Sequence, residues 1–234
     1  MANDDRRIES LIDDLDHLDK PTLRAAVDKL IALATDSEDV RASLNRRLSE
    51  LGHRNYWPVA YILGHQPQPP GAAIRNLLDV LDHREPDIRW AIALLLIRIA
   101  KGEGSVIHLL IELCKTGTAN QKRMAIYCLR DLQLSDGESL QALTNSLADS
   151  DFSVRVAAVT SLKTRSDIDE GVRDALLRVY LNDAEIKVRN AAAVTLASFG
   201  SPSDEFLRAL RDSSKSENGQ TKKAAEAALA LLKY

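Results

Sequence analysis

A repeat of about 33 residues constrains the fold of this chain more than any other feature. The segment Ser-Val-Arg-Val-Ala-Ala at 153–158 recurs as Lys-Val-Arg-Asn-Ala-Ala at 187–192 and, more loosely, as Asp-Ile-Arg-Trp-Ala-Ile at 87–92. The fifth residue of each copy marks a position that recurs at spacings of 33, 33, 33, 33, 34 and 33, at Ala25, Pro58, Ala91, Met124, Ala157, Ala191 and Ala224. A leucine follows each marker by five residues, at Leu30, Leu63, Leu96, Leu129, Leu162, Leu196 and Leu229.

Each repeat also holds a second amphipathic segment before the marked one, as at Leu77 with Leu81 and Leu143 with Leu147. Apolar residues three and four apart predict helices, and Ser135, Ser166 and Ser201 are predicted to begin helices because an acidic residue follows each by three. Each repeat is therefore predicted to be a helix A, a short turn and a helix B. The whole chain is predicted to be one all-α domain, an α-solenoid over residues 1–234 whose seven helix pairs lie at 4–35, 36–67, 68–102, 103–134, 135–166, 167–200 and 201–234.

Composition agrees with this fold class and narrows the function. Aromatic residues make up 4 % of the chain and glycines number 10, which argues against an all-β fold. The net charge is −3, so a nucleic-acid partner is not favoured. Two cysteines exclude a disulfide scaffold. Neither a signal-like N-terminus nor a membrane-spanning run is found, so the expected location is cytoplasmic.

The start of the B helices resembles the HEAT-like repeats, especially the short form of phycobilisome-lyase-type proteins. Its pattern, (Val/Ile)-Arg-x-Ala-Ala-x-x-x-Leu, is carried best by Arg89, Arg155 and Arg189. Lys122 and Lys222 replace the arginine in repeats 4 and 7, whereas repeat 2 departs from the pattern at Tyr56 and Pro58. The resemblance implies that this basic residue forms a structural ladder with acidic turn residues, for which Asp87, Asp151 and Asp183 are suitable. It also implies that the B helices line a concave groove.

Numbering each B helix from its Val/Ile as position 0 places the regular Ala and Leu residues on one face, the predicted core. Positions 2, 5, 6 and 9 are then predicted to face the groove, where the chain carries both of its tryptophans. Large apolar and aromatic residues on an open face are typical of binding sites. The predicted partner-binding residues are Trp57, Tyr61, Trp90, Leu94, Arg123, Ile126, Tyr127, Arg130 and Lys163. Alternatively, neighbouring helices cover these side chains, or Trp57 fills a gap caused by Pro58.

The sequence shows no arrangement that favours an enzyme, a metal site or a cofactor. The five histidines form no pair at metal-ligand spacing, and the His-Glu step of HEAT-repeat deoxyhypusine hydroxylases does not occur. The preferred interpretation is a non-enzymatic scaffold that binds a protein in the groove of repeats 2–4. Two alternatives remain open: a phycobilin lyase-like, chromophore-handling protein with Arg123 and Arg130 at the propionates, and a HEAT-like DNA glycosylase.

Overall fold

A computed structural model describes residues 2–16, 19–50 and 57–232, and it describes side chains from residue 7 onward. Within these ranges the chain forms fourteen α-helices and no β-strand. The predicted all-α solenoid of helix pairs is therefore confirmed. Tyr56, His17 and His53, which the sequence analysis considered, lie outside the described residues.

The first three helix pairs begin near the predicted repeat boundaries. They are α1 (Ala2–Asp13), α2 (Lys20–Asp36), α3 (Glu38–Glu50), α4 (Trp57–Gly64), α5 (Gly71–Val80) and α6 (Pro86–Gly102). The remaining four pairs are α7 (Ser105–Thr116), α8 (Ala119–Leu132), α9 (Gly137–Asn145), α10 (Phe152–Leu162), α11 (Glu170–Asn182), α12 (Ile186–Ser198), α13 (Asp204–Ser213) and α14 (Gly219–Leu232). Single 3-10 turns follow α1 and α9, at Asp14–Asp16 and Ser146–Ala148.

The chain divides into two compact units, Met1–Val106 and Ile107–Tyr234. In the first unit the B helices are α2, α4 and α6, and α4 packs against both of the others. In the second unit the B helices are α8, α10, α12 and α14, and each packs against the next. A B helix that has another B helix on each side buries residues on those two sides, in addition to the residues that face its own A helix. This burial decides which residues of a B helix remain exposed.

The leucines of the repeat register form the centre of the core. Five of them have no exposed surface, namely Leu30, Leu63, Leu96, Leu129 and Leu162, and Leu196 is 7 % exposed. Leu229 is half-buried because it lies on α14, the last described helix. The repeat therefore exists because each helix pair buries this leucine against its neighbours.

The basic residue at position 1 of a B helix fixes the turn between helices A and B. Nη1 of Arg155 donates hydrogen bonds to the carbonyl oxygens of Asp149 and Ser150, at 2.8 and 3.2 Å. Arg89 and Arg189 donate in the same way to the carbonyls six and five residues before them. The guanidinium thus satisfies carbonyls of the turn between helices A and B, which have no helical hydrogen bond.

The implied ladder is confirmed at Asp183 and takes a different residue elsewhere. Arg155 binds Asp183 of the next repeat with two hydrogen bonds, Nε to Oδ2 at 2.7 Å and Nη2 to Oδ1 at 2.9 Å. Lys122 binds Asp149 at 2.7 Å, whereas Asp151 caps α10 by accepting from the backbone N–H of Ser153. Asp87 is exposed and forms no ion pair within the described residues.

The predicted helix starts at Ser135, Ser166 and Ser201 are early by one to three residues. The observed N-caps are Asp136 for α9, Asp169 for α11 and Ser203 for α13. Ser201 has a φ of 44°, whereas an N-cap needs extended backbone. The later residues therefore cap these helices.

Gly64, the last residue of α4, allows α4 to pack closely against α5 and α6. A Cβ at this position would lie 2.9 Å from Cδ1 of Leu77 and 2.9 Å from Cδ2 of Leu95. We expect Gly64→Val to lower the free energy of unfolding by about 1–3 kcal/mol through overpacking. Urea unfolding followed by circular dichroism measures the change. Gly102→Val is the matched control, since a Cβ at Gly102 meets nothing within 4 Å, and an equal loss in both variants would contradict the packing argument.

None of the helices within the described ranges combines the length and the apolar character that crossing a bilayer demands.

Candidate protein-binding surface

On the B helices the exposed side includes positions 2, 6 and 10, which lie on successive helical turns and form one stripe. On α6 these positions are Trp90, Leu94 and Arg98, and all three are exposed. Leu94 exposes 62 % of its surface and Trp90 exposes 42 %. The exposure of these two large apolar side chains contrasts with neighbouring residues of α6, such as Ile92 and Leu95, which are buried.

The same positions on α4 form a column of rings. Trp57 and Tyr61 meet edge to face with their centroids 6.3 Å apart, and Tyr61 meets His65 at 4.5 Å. Nδ1 of His65 donates to the carbonyl oxygen of Tyr61 at 2.8 Å. Burial lowers the pKa of His65, and the positive charge of Arg98 lowers it further, although the hydrogen bond to Tyr61 raises it.

Trp57, Tyr61, Trp90 and Leu94 lie on packed neighbouring helices of the first unit, and together they are named the aromatic surface. Trp57 is the first residue of α4 and Pro58 occupies its first turn, where a proline is tolerated. Trp57 and Tyr61 are half-buried, whereas Trp90 and Leu94 are exposed. Trp90 and Leu94 therefore provide the more accessible part of the aromatic surface.

Arg98 joins the two helices at the end of the aromatic surface. Its Nη2 donates to the carbonyl oxygen of Gly64 at 2.9 Å. Sequence analysis missed Arg98 and His65 because it followed positions 2, 5, 6 and 9. The spacing of four residues from Trp90 to Leu94 was the signal that could have extended the stripe to position 10.

The second unit carries the other predicted residues, and Arg123, Tyr127, Arg130 and Lys163 are named the basic surface. Cζ of Arg130 lies 5.0 Å from the centroid of the Tyr127 ring, and Nε of Arg130 donates to Oδ1 of Asp131 at 2.6 Å. That hydrogen bond raises the pKa of Arg130. Arg130 is therefore already engaged by a carboxylate, which weakens it as a cation for a partner.

Arg123 and Lys163 differ from Arg130 in their surroundings. Arg123 is half-buried, and its Nε is buried without a hydrogen-bond partner. Lys163 directly follows α10 and is exposed.

The prediction that Ile126 faces an open groove is wrong, since Ile126 is fully buried. Position 5 shares this error in repeats 2, 3, 5 and 6, because Ala60, Ala93, Val159 and Ala193 are also buried, whereas Glu226 of α14 is exposed. Position 9 is mixed: Gly64 and Ile97 are buried, whereas Lys163 is exposed. The burial at positions 5 and 9 arises because an adjacent B helix covers a side of the helix that its own A helix does not contact.

The two cysteines among the described residues belong to the core. No group of three or more His, Cys, Asp or Glu side chains is arranged to hold a metal ion within the described ranges. Cys114 and Cys128 are buried, and burial raises the pKa of Cys114 to about 12 and also raises that of Cys128. Both thiols are therefore protonated at neutral pH and poor nucleophiles.

Comparison with known proteins concerns the family and the fold. Among solved structures, a designed armadillo repeat protein in complex with the peptide (KR)4 is similar at 18 % identity and a TM-score of 0.49, over 97 % of this chain and 99 % of that chain. Human deoxyhypusine hydroxylase in complex with glycerol is similar at 16 % identity and a TM-score of 0.38, over 97 % and 96 %. These likenesses are too remote to bear on function.

No curated protein matches the chain. The family described as HEAT repeats matches residues 74–163 and 140–230. These two matches overlap and together span more than half of the sequence, in agreement with the helix pairs and the register leucines. The chain belongs to the HEAT-repeat family.

Proposed function

We propose that this protein is a non-enzymatic scaffold that binds a protein partner through the aromatic surface of α4 and α6. The observation that carries the proposal is the exposure of Trp90 and Leu94, one turn apart on the same helix. A soluble helix has no structural need for a tryptophan and a leucine on its open side, and exposed apolar groups of this kind favour association.

The chemistry of the surface suits a protein partner. Tryptophan, tyrosine and arginine are the residue types that most often dominate protein interfaces. The aromatic ones bury a large area at a small loss of side-chain entropy. Trp57 and Tyr61 are held by ring contacts and do not have to be ordered on binding. In the second unit, taken by itself, Arg123 and Lys163 would favour contact with acidic residues of a protein.

The proposal is tested by comparing partner capture from cells that contain this protein, using the full chain as bait. The variant is Trp90→Ala with Leu94→Ala. Truncating one interface anchor costs about 2 kcal/mol, so we expect affinity for the captured partner to fall by at least about 30-fold. Unchanged helical circular dichroism would show that the fold is intact.

The matched control is Phe152→Ala with Leu181→Ala, which removes two apolar residues exposed by 43 and 38 % in the second unit. We expect this control to retain the partner. Equal capture by wild type and by the Trp90/Leu94 variant would reject the aromatic surface as the binding site.

A further inference from the structure

The aromatic surface ends at a cation that the fold does not neutralise. Arg98 is exposed, and its hydrogen bond goes to a neutral acceptor, the carbonyl oxygen of Gly64. Among the described residues it takes part in no ion pair. One hydrogen bond uses one of the five N–H donors of a guanidinium, so the side chain is held in position and keeps donors for a further acceptor.

The surroundings of Arg98 are also cationic. Residues 57–75 and 88–102, which include α4 and nearly all of α6, contain no aspartate and no glutamate. Their charged residues are Arg75, Arg89, Arg98 and Lys101, and Arg89 is occupied by the turn carbonyls. This is unusual in a chain with more acidic than basic residues, 34 against 31. Glu103, which directly follows α6, is the acidic residue nearest to Arg98 along the chain. The charged side chains of residues 57–75 and 88–102 are therefore all positive, which favours an anion beside Arg98.

His65 does not compete for that anion. It lies beside Arg98, burial lowers its pKa, and its Nδ1 is committed to the carbonyl of Tyr61. Its imidazole is therefore neutral at neutral pH, so Arg98 provides the charge.

We propose that Arg98 is a specificity-determining residue, and that the aromatic surface accepts a peptide segment whose apolar side chains are followed by a carboxylate that Arg98 binds. The inference rests on the proposed function and names the chemistry of the partner. Trp90 and Arg98 are eight residues apart on α6, a rise of about 12 Å. An extended peptide covers that distance in about four residues, so the carboxylate belongs about four residues from the apolar residue that meets Trp90.

A protein segment fits these observations better than an anionic membrane does. Electrostatic binding to anionic lipid uses clusters of about four to eight basic residues, whereas the exposed cations here are Arg75, Arg98 and Lys101. A guanidinium with a fixed orientation beside an aromatic patch is suited to one carboxylate, which it can bind through two parallel hydrogen bonds.

The test is a selection on the full chain from a displayed library of random peptides of about twelve residues, long enough to span the site. We expect the enriched peptides to carry Asp or Glu about four residues from a large apolar residue. Replacing that acid with its amide in a synthetic peptide should weaken binding to wild type by about tenfold, the usual effect of losing a charged hydrogen bond. Arg98→Gln should abolish this difference, and Arg98→Lys should keep part of it.

Arg178→Gln is the matched control, because Arg178 is also exposed and lies on α11 of the second unit. It should select the same acidic peptides as wild type. Circular dichroism of Arg98→Gln checks that loss of the bond to Gly64 leaves the helices intact.

The other outcomes overturn the inference in distinguishable ways. Enriched peptides without acidic residues, still lost on Trp90→Ala with Leu94→Ala, would reject the role of Arg98 and leave the proposed function standing. Equal weakening of the acid and amide peptides by Arg98→Gln would reduce Arg98 to a structural cap. Enriched peptides that ignore both variants, or no enrichment at all, would count against the proposed function as well. Arg98-dependent binding to phosphatidylglycerol vesicles without peptide binding would replace the protein partner with a membrane.

Discussion

Replacing Leu129 with alanine is expected to lower the free energy of unfolding by about 2–5 kcal/mol. Leu129 has no exposed surface and lies on α8, which packs against the neighbouring B helix α10. Alanine would remove buried methyl and methylene groups and leave a cavity that two packed helices cannot close completely. Denaturant unfolding of the full chain, followed by circular dichroism, measures the loss.

Leu181→Ala is the control for this experiment, since Leu181 is 38 % exposed on α11. A surface truncation of this kind should change stability by no more than about 0.5 kcal/mol. If the two leucine variants lost the same stability, the repeat register would not be the source of the core.

The second large effect is expected at the ladder, for Asp183→Ala. The side chains of Arg155 and Asp183 are 14 and 6 % exposed and share two hydrogen bonds. Removing the carboxylate would leave the guanidinium of Arg155 without its counter-charge in a mostly buried site, which costs about 3–5 kcal/mol. Glu112→Ala is the control, because Glu112 pairs with Lys115 at a site where both side chains are 58 % exposed, and such pairs add little.

Acid should remove the stability that the carboxylate of Asp183 contributes. Burial alone would raise the pKa of Asp183, but the hydrogen bonds from Arg155 and from the backbone of Glu185, with the charges of Arg155 and Arg189, lower it overall. A carboxyl group whose pKa is lower in the folded state stabilises the protein above its unfolded pKa of about 4. The stability difference between wild type and Asp183→Ala should therefore be constant from neutral pH down to about pH 5 and shrink below about pH 4. A difference that grew on acidification would contradict this assignment.

The sequence predicts the helix pairs and the core of this protein well because both follow from local periodicity. The leucines at one register recur in every repeat, and six of the seven are buried because their repeats pack on neighbouring copies. The same logic locates the arginines of the ladder, but not all of their partners. Asp149 and Asp151 are two residues apart in one turn, and only the three-dimensional turn decides that Asp149 binds Lys122 while Asp151 caps α10.

The candidate site is less predictable because it depends on what covers each side of a helix. Helical periodicity distinguishes an apolar side from its opposite, and on that basis Ile126 was placed in the groove. The neighbouring B helix buries it instead. Arg98 shows the converse case: the spacing of Trp90 and Leu94 extends the stripe to it, but only the structure shows that it contacts Gly64 in the preceding repeat.

In the turns before α6, α10 and α12, an arginine side chain binds the carbonyl oxygens of the residues six and five positions before it. These contacts limit where residues can be inserted into the chain. Each such turn is closed by a side chain of fixed reach, so an inserted residue would move a carbonyl away from its donor. The connectors between repeats vary from one residue, at 37, to seven, at 163–169. The shortest is held in a similar way, because Arg41 on α3 donates to the carbonyl oxygens of Ala34 and Thr35 at the end of α2. Insertions, grafted epitopes and protease sites are therefore best tolerated in the longer connectors between repeats, where the chain can lengthen without disturbing a helix end.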